Sequence, residues 1–279
     1  MTQIVHWNPR VATRLSRRMP GALGPMLRRR VRNFGDLLGP IIVRRILEER
    51  SLMNPSTERR LLTVGSILHM ARTGDVVWGS GRNGKIGEEH HQFEDLDVRS
   101  ARGPLTAQWL RSRGIRAPET FGDPAILIPL LFPDLASPDL ASPELAGPER
   151  APARAITFVP NLNDVEFGVL PDGVDHLDPR GDPFTIMRRL ARSRFVVASS
   201  LHAIMIADAF GVEARLVRTA KEPEFKYADH YLGTGRPDFR MADSVAEALR
   251  LGGEPPMQAD TATLLAAFPD DLFVAAGAR

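Results

Sequence analysis

Apolar positions along the chain come in short continuous runs that alternate with stretches of helical spacing. The sharpest example is Phe195-Val196-Val197-Ala198, the length of a buried parallel strand, which breaks into Ser199-Ser200. Leu201, Ile204, Met205, Asp208 and Ala209 then recur at helical spacing until Gly211 stops them. A strand that turns through Ser-Ser into a helix aims the first backbone N–H groups of that helix above the sheet. Such a terminus suits an anion, because its donors are unsatisfied and its end of the dipole is positive. His202 falls in the first turn, where an imidazole either joins an anion site or packs locally.

The same alternation runs through the first half. Gln3 to Trp7 predicts a strand, and Asn33-Phe34-Gly35-Asp36 opens a helix over Leu37 to Glu49. Asp36 either caps that helix or faces a substrate above it. A second unit spans Arg60 to Val64 and Gly65 to Met70. Asp75 to Trp78 then forms a strand running into Gly79-Ser80-Gly81, a turn that lets backbone approach a ligand closely. Leu96 to Ser100 is the next strand. It feeds Ala101-Arg102-Gly103 and a helix that begins at Pro104, where a missing N–H costs nothing, and stops at Gly114. Arg102 thereby sits at a strand-to-helix junction, with Arg99 in reserve. In Gly122-Asp123-Pro124-Ala125, Asp123 can bond backbone amides or a ligand hydroxyl.

Pro133 to Pro148 holds one five-residue unit three times, Asp-Leu-Ala-Ser-Pro, Asp-Leu-Ala-Ser-Pro and Glu-Leu-Ala-Gly-Pro. Proline at that spacing forbids a continuous helix, so residues 133–150 read as a linker. After it come a strand over Ala155 to Pro160, a helix from Asp182 to Arg192, the Phe195 to Val212 unit, and a strand over Ala214 to Val217. Lys221 to Tyr231 is read as a loop, carrying Lys226, that leads into a helix stopped by Gly233. Helices over Ser244 to Leu251 and Ala259 to Phe268 close the chain. Strands and helices alternate on both sides of the linker, which predicts an α/β protein with two Rossmann-like, doubly wound domains facing a cleft. The expected domains are 1–132 and 151–255, with 256–279 a C-terminal helix crossing back to the first. Ligands in such folds bind beyond the carboxyl ends of the strands.

Composition narrows this picture. The apolar share of 43% and charged share of 25% are those of a globular protein, and cysteine is absent, which removes disulfides and thiolate metal sites. No apolar run reaches the ~18 residues of a membrane span, and no signal-peptide core opens the chain. A cytoplasmic location is expected. The net charge of +2 is too small to argue for nucleic acid, and no nucleic-acid partner is expected. Arginines cluster between Arg10 and Arg32, however, as a solvated basic face or as a peripheral contact with anionic lipid head groups.

Neither a His-Glu-x-x-His metal motif, a Walker loop, a Gly-x-Gly-x-x-Gly turn nor a Gly-x-Ser-x-Gly elbow is present. What stands at the strand ends is a set of cationic and proton-transferring groups: Arg102, His202 and Lys226, with Arg99 behind them. Such a set suits a small dianion carrying carboxylate and phosphate, the arginine offering a planar fork, the lysine a point charge and the histidine a proton.

The ordered motifs Asn33-Phe34-Gly35-Asp36, Trp78-Gly79-Ser80-Gly81, Val98-Arg99-Ser100-Ala101-Arg102-Gly103-Pro104-Leu105-Thr106, Gly122-Asp123-Pro124-Ala125 and Ser199-Ser200-Leu201-His202 precede a segment bearing Lys226. In that order they resemble the polysaccharide pyruvyl transferases. Ser200 stands where many members carry arginine, and Ala203 where glycine is usual. The resemblance implies a fold like the GT-B glycosyltransferases. It also implies phosphoenolpyruvate as donor, without a further cofactor, and a sugar of a surface polysaccharide or its lipid-linked precursor as acceptor of a pyruvate ketal. His202 and Arg102 are then the expected catalytic residues. Lys226, Arg99, Ser199, Ser200, Leu201, Asn33, Gly35, Asp36, Gly79, Ser80, Gly81 and Asp123 are expected around the substrates. Two other readings share the architecture: a GT-B glycosyltransferase using a nucleotide sugar, and a non-catalytic sugar-binding relative.

Overall fold

The structure, a computed structural model, describes residues 1–12, 28–55, 58–137, 155–164 and 169–276. Its strands are Gln3–Val5 (β1), Arg10–Ala12 (β2), Arg28–Arg30 (β3), Leu52–Met53 (β4), Arg60–Leu62 (β5), Val76–Trp78 (β6), Asp97–Ser100 (β7), Ile156–Val159 (β8), Val174–His176 (β9), Phe195–Ala198 (β10), Ala214–Leu216 (β11) and Val274–Ala275 (β12). The helices are Leu38–Glu49 (α1), Pro104–Ser112 (α2), Ile128–Leu131 (α3), Pro183–Ala191 (α4), Leu201–Ala209 (α5), Phe225–Gly233 (α6), Val245–Leu251 (α7) and Thr261–Ala266 (α8). No helix among the described residues is long and apolar enough to cross a membrane.

Two four-stranded sheets organise these elements, in the orders β1-β5-β6-β7 and β11-β10-β8-β9, and every pairing within them is parallel. The central strands explain why. Val76, Val77 and Trp78, like Val196, Val197 and Ala198, are wholly shut from solvent on both faces, so each reads as a continuous apolar run rather than an alternation. Helix α5 is apolar apart from His202 and Asp208 for the same reason. Leu201 and Ala203 to Ala207 are buried, and the helix packs on β10 and on the turn of 3-10 helix at Pro124–Leu127 from the first half. One apolar cluster consequently runs through both halves, from Phe34, Leu38 and Trp78 to Val196, Ile204 and Leu216.

Local chemistry sets several boundaries. Pro183 opens α4 and the Asp182 carboxylate accepts from Thr185 N at 2.9 Å, the expected side-chain cap. The last described segment lies against the first sheet: the Trp78 indole donates to Leu264 O at 2.8 Å, and the Trp78 ring meets Phe268 edge to face at 5.0 Å. Strand β12 pairs antiparallel with β4.

Several expectations differ from what is found. Residues 65–70 supply only a turn of 3-10 helix at Leu68–Met70. Strand β9 and the short antiparallel pairs β2–β3 and β4–β12 carry no readable period. Lys226 belongs to α6 itself, whose first residue is Phe225, rather than to a loop before it. Of the expected linker, Pro133–Ala136 forms a 3-10 turn, and residues 138–150 lie outside the described residues, as do residues 13–27 of the arginine-rich stretch.

Candidate active site

A cavity of about 290 Å³ opens where the strand ends of the two sheets meet. On one side its wall comes from residues that follow β5 (Gly65, Ser66), β6 (Asn83, Lys85) and β7 (Arg102). On the other it comes from residues that follow β8 (Asn161, Asn163), β10 (Ser200, His202) and β11 (Glu222, Lys226). That is where parallel sheets leave a crevice.

His202 projects from the first turn of α5 against the backbone of Gly35. A Cβ on Gly35 would stand 2.1 Å from the imidazole Nδ1, so only glycine allows this approach. The Nε2 atom is closed off from solvent and has no hydrogen-bond partner. Burial pushes the imidazole pKa down to about 3, and Lys226, Arg102 and His230 push the same way. The ring is therefore neutral at physiological pH, and it forms part of the cavity wall.

Two carboxyls share this wall and move in the opposite direction. Burial raises Asp36 to about 6, against a bond from Asn33 and the charge of Lys226, with Asp123 and Glu222 adding to the rise. Burial likewise raises Asp123 to about 6, against backbone donors and Arg102. Asp36 does not cap α1. It lies in the 3-10 turn Gly35–Leu37 ahead of that helix, no side chain caps either element, and its Oδ2 accepts from Asn33 Nδ2 at 2.7 Å. Asp123 is committed to backbone, accepting from Gly65 N at 2.8 Å through one oxygen and Ala125 N at 3.0 Å through the other.

The cationic end is built around Glu222. Its carboxylate meets Lys85 Nζ at 2.5 Å, Asn163 Nδ2 at 3.0 Å and Lys226 Nζ at 3.0 Å. Burial alone would raise the carboxyl of Glu222, but Lys226 and Lys85 outweigh it and hold it below the ordinary range. Lys226 is pulled down by burial against the pull of Glu222, with Lys85 and Arg102 adding to the fall.

Arg102 is fully buried, and its charge is already matched. The guanidinium lies 2.9 Å from Asp229 and donates through Nε to the same carboxylate at 3.0 Å. It also donates to Ser66 Oγ at 2.5 Å and to Arg82 O at 2.8 Å. Gly81 makes room for it, since a Cβ there would stand 2.3 Å from the guanidinium carbon. The Asp229 carboxylate also takes Thr106 N at 2.9 Å and Thr106 Oγ1 at 2.6 Å. Arg102 thus meets the cavity as the edge of a finished network rather than as an open fork.

The expected catalytic residues Arg102 and His202 come together on the cavity wall with Asn33, Asp36, Asp123, Ser200, Leu201 and Lys226 of those expected around the substrates. Gly35 and Gly81 stand behind it and support His202 and Arg102. Ser80 donates to Gly65 O at 3.0 Å, and Ser199 accepts from Asn161 N at 2.8 Å, so both brace the loops that form the wall. Gly79 turns with φ +82° against Pro124, away from the opening. Arg99 does not reach the site. Its guanidinium is held by Asp97 at 2.7 Å and Asp271 at 2.9 Å, which raises its pKa further, and so it cannot stand in for Arg102. Lys85, Glu222, Asn163, Asn161, His69 and Trp7 join the wall without a signal in the sequence beyond their place in loops that follow strands.

Comparison with known proteins bears on the same residues. The family model described as polysaccharide pyruvyl transferase matches residues 73–220, a span that holds Arg102, Asp123 and His202. The succinoglycan biosynthesis protein ExoV of Rhizobium meliloti (strain 1021) is 30% identical over 202 residues, covering 68% of this chain and 59% of that protein. A crystal structure of an uncharacterized protein from Klebsiella pneumoniae subsp. pneumoniae NTUH-K2044 overlays 76% of this chain and 90% of its own, with 11% identity and a TM-score of 0.45. With the family match extending over more than half of its length, the chain belongs to the polysaccharide pyruvyl transferase family.

Proposed function

We propose that the protein takes the pyruvyl group of phosphoenolpyruvate and joins it as a ketal to two hydroxyls of one sugar, in a surface polysaccharide or its lipid-linked precursor. The observation that carries this reading is the convergence of Lys85, Lys226 and Arg102 with a neutral, unpartnered imidazole in one small cavity. Phosphoenolpyruvate brings a phosphate and a carboxylate on a three-carbon frame, and its chemistry needs proton transfer at carbon and at oxygen. The two lysines supply point charges for the anionic groups and for the phosphate as it leaves, and Arg102 adds field from one edge. His202 carries a proton at the reacting centre.

In this reading the two sheets are the cores of Rossmann-like lobes, 1–132 and 151–255, arranged in GT-B fashion, with 133–150 between them and 256–279 returning to the first. The acceptor's origin places the work at the cytoplasmic side of the membrane, with the arginine-rich residues 10–32 as peripheral contact.

The test is release of inorganic phosphate from phosphoenolpyruvate in the presence of a panel of hexose oligosaccharides. His202→Ala should lower turnover by about 10²–10³-fold. Wild-type rates in a folded His202→Ala variant would sink the assignment. Calorimetry with phosphoenolpyruvate, uridine diphosphate and guanosine diphosphate separates the alternatives. Tighter binding of a nucleotide diphosphate favours a nucleotide-sugar glycosyltransferase, and phosphoenolpyruvate binding without turnover favours a non-catalytic relative.

A further inference from the structure

Asp36 and His202 enter the cavity from different halves of the chain and face one another across a residue without a side chain. A Cβ placed on Gly65 would lie 3.8 Å from Asp36 Oδ1, 3.8 Å from His202 Cε1 and 3.9 Å from His202 Nε2. Gly65 has φ +98°, where a side chain is strained, so no side chain stands between the two groups. Asn33 fixes the other oxygen of Asp36, and the Gly35 backbone fixes the back of the imidazole. Among the described residues no donor contacts Asp36 Oδ1, and His202 Nε2 is likewise without a partner. Asp123, the neighbouring carboxyl, has both oxygens taken by backbone N–H groups and presents no free one.

We infer that Asp36 is the proton donor to the methylene carbon of the enolpyruvyl group and that His202 is the proton acceptor for the attacking sugar hydroxyl. The inference rests on the pyruvyl-transfer reading and assigns its acid and base. Burial acts first on both groups, raising Asp36 and lowering His202. Asn33 and Lys226 oppose the rise of Asp36 while Asp123 and Glu222 add to it, and Lys226, Arg102 and His230 deepen the fall of His202. These surroundings leave the carboxyl at about 6 and the imidazole at about 3, the reverse of their ordinary order. An anion entering the cavity raises both, which protonates Asp36 first.

The Asp36 proton goes to C3, and the C2–C3 π pair becomes the new C3–H bond. A hydroxyl oxygen bonds to the electron-poor C2 and gives its proton to His202 Nε2. The C2–O bond to phosphate breaks with its electron pair on oxygen, and the imidazolium proton leaves with the phosphate. The second hydroxyl bonds to C2, and its proton restores Asp36. Two hydroxyl protons are consumed, one on the new methyl group and one on phosphate.

The test needs no acceptor. Calorimetric titration of the full chain with phosphoenolpyruvate near pH 7, in buffers of different ionisation enthalpy, counts the protons taken up on binding. Wild type should take up about one proton. Asp36→Asn should bind on the order of tenfold more tightly than wild type at pH 7, because its neutral amide resembles the protonated carboxyl that wild type must first form, and should lose that uptake. His202→Gln should retain it. Undiminished uptake by Asp36→Asn, or its loss in His202→Gln, would overturn the assignment. A wild type silent to phosphoenolpyruvate would overturn the donor reading and this inference with it, a result distinct from misassigned protons because no variant is then involved. In phosphate release with an accepting sugar, Asp36→Asn should lose about 10²–10³-fold in kcat with no rise in KM for phosphoenolpyruvate.

Discussion

At the scale of single residues, the cavity is held in a protonation pattern that costs stability. Asp36 has a folded pKa of about 6 against an ordinary 3.8, so it binds its proton more tightly folded than unfolded. The stability tied to that proton is present below about pH 4 and is lost as the pH rises through about 6. Asp36→Asn removes the ionised, desolvated carboxylate and should therefore raise unfolding stability at pH 7 by on the order of 2 kcal/mol, with the gain vanishing near pH 4. Chemical denaturation at the two pH values checks both the sign and the window. If stability is equal at pH 7, the carboxyl is better solvated than its position implies. The same group sets the rate profile: kcat/KM should fall above about pH 6 as Asp36 ionises in the free enzyme, and Asp36→Asn should flatten that limb. A variant more stable and less active than wild type is the usual mark of a functional site.

At the scale of elements, two glycines decide where the imidazole sits. In Gly35→Ala the new methyl would overlap the His202 ring, at 2.1 Å from Nδ1, and the ring must swing into the cavity. His202 Cβ, at 2.9 Å from the new methyl, cannot swing away with the ring, so the packing of α5 against this turn shifts as well. Phosphate release should drop by at least about tenfold, with a lower melting temperature. A wild-type rate would mean that the ring position is not critical. The elements around this contact were legible to different degrees. The strand β10, its Ser-Ser turn and helix α5 stand out in the sequence because a doubly buried strand and a buried helix each leave an unbroken apolar signature. Strands β9 and β12 are too short to show a period, and they form only because a neighbour offers an edge. Lys226 looks like a loop residue because Pro223 precedes it closely, although proline is well tolerated where a helix is about to begin. Lys85 and Glu222 could not have been found by pattern at all. They are 137 positions apart and become a site only when the strand ends of the two sheets meet. Arg102 was found for its place at a strand end, but its pairing with Asp229 depends on α6 docking against α2, a long-range contact that no local signal carries.

At the scale of the whole molecule, the cavity joins two sheets that also share an apolar cluster, and this has a consequence for unfolding. All three tryptophans, Trp7, Trp78 and Trp109, lie in the first half of the chain, with Trp78 also packed on Leu264 and Phe268, so their fluorescence reports on the first sheet and the segment that covers it. Ile204 lies on α5, in the second half of the chain, fully buried in the cluster that also contains Trp78, Leu38 and Phe34. Ile204→Ala removes methylenes from that cluster and should cost about 2–5 kcal/mol. If the sheets unfolded independently, the loss would fall on the second half, and tryptophan fluorescence would melt as in wild type while far-UV circular dichroism showed an early transition. The shared cluster, the Lys85–Glu222 contact and the buried Arg102–Asp229 pair each span the two halves. They argue instead for one transition, with fluorescence and dichroism shifting together in Ile204→Ala by the same amount. The catalytic proposal needs this coupling. Asp36 comes from one half and His202 from the other, and the separation between them stays constant only while the halves remain packed as one body.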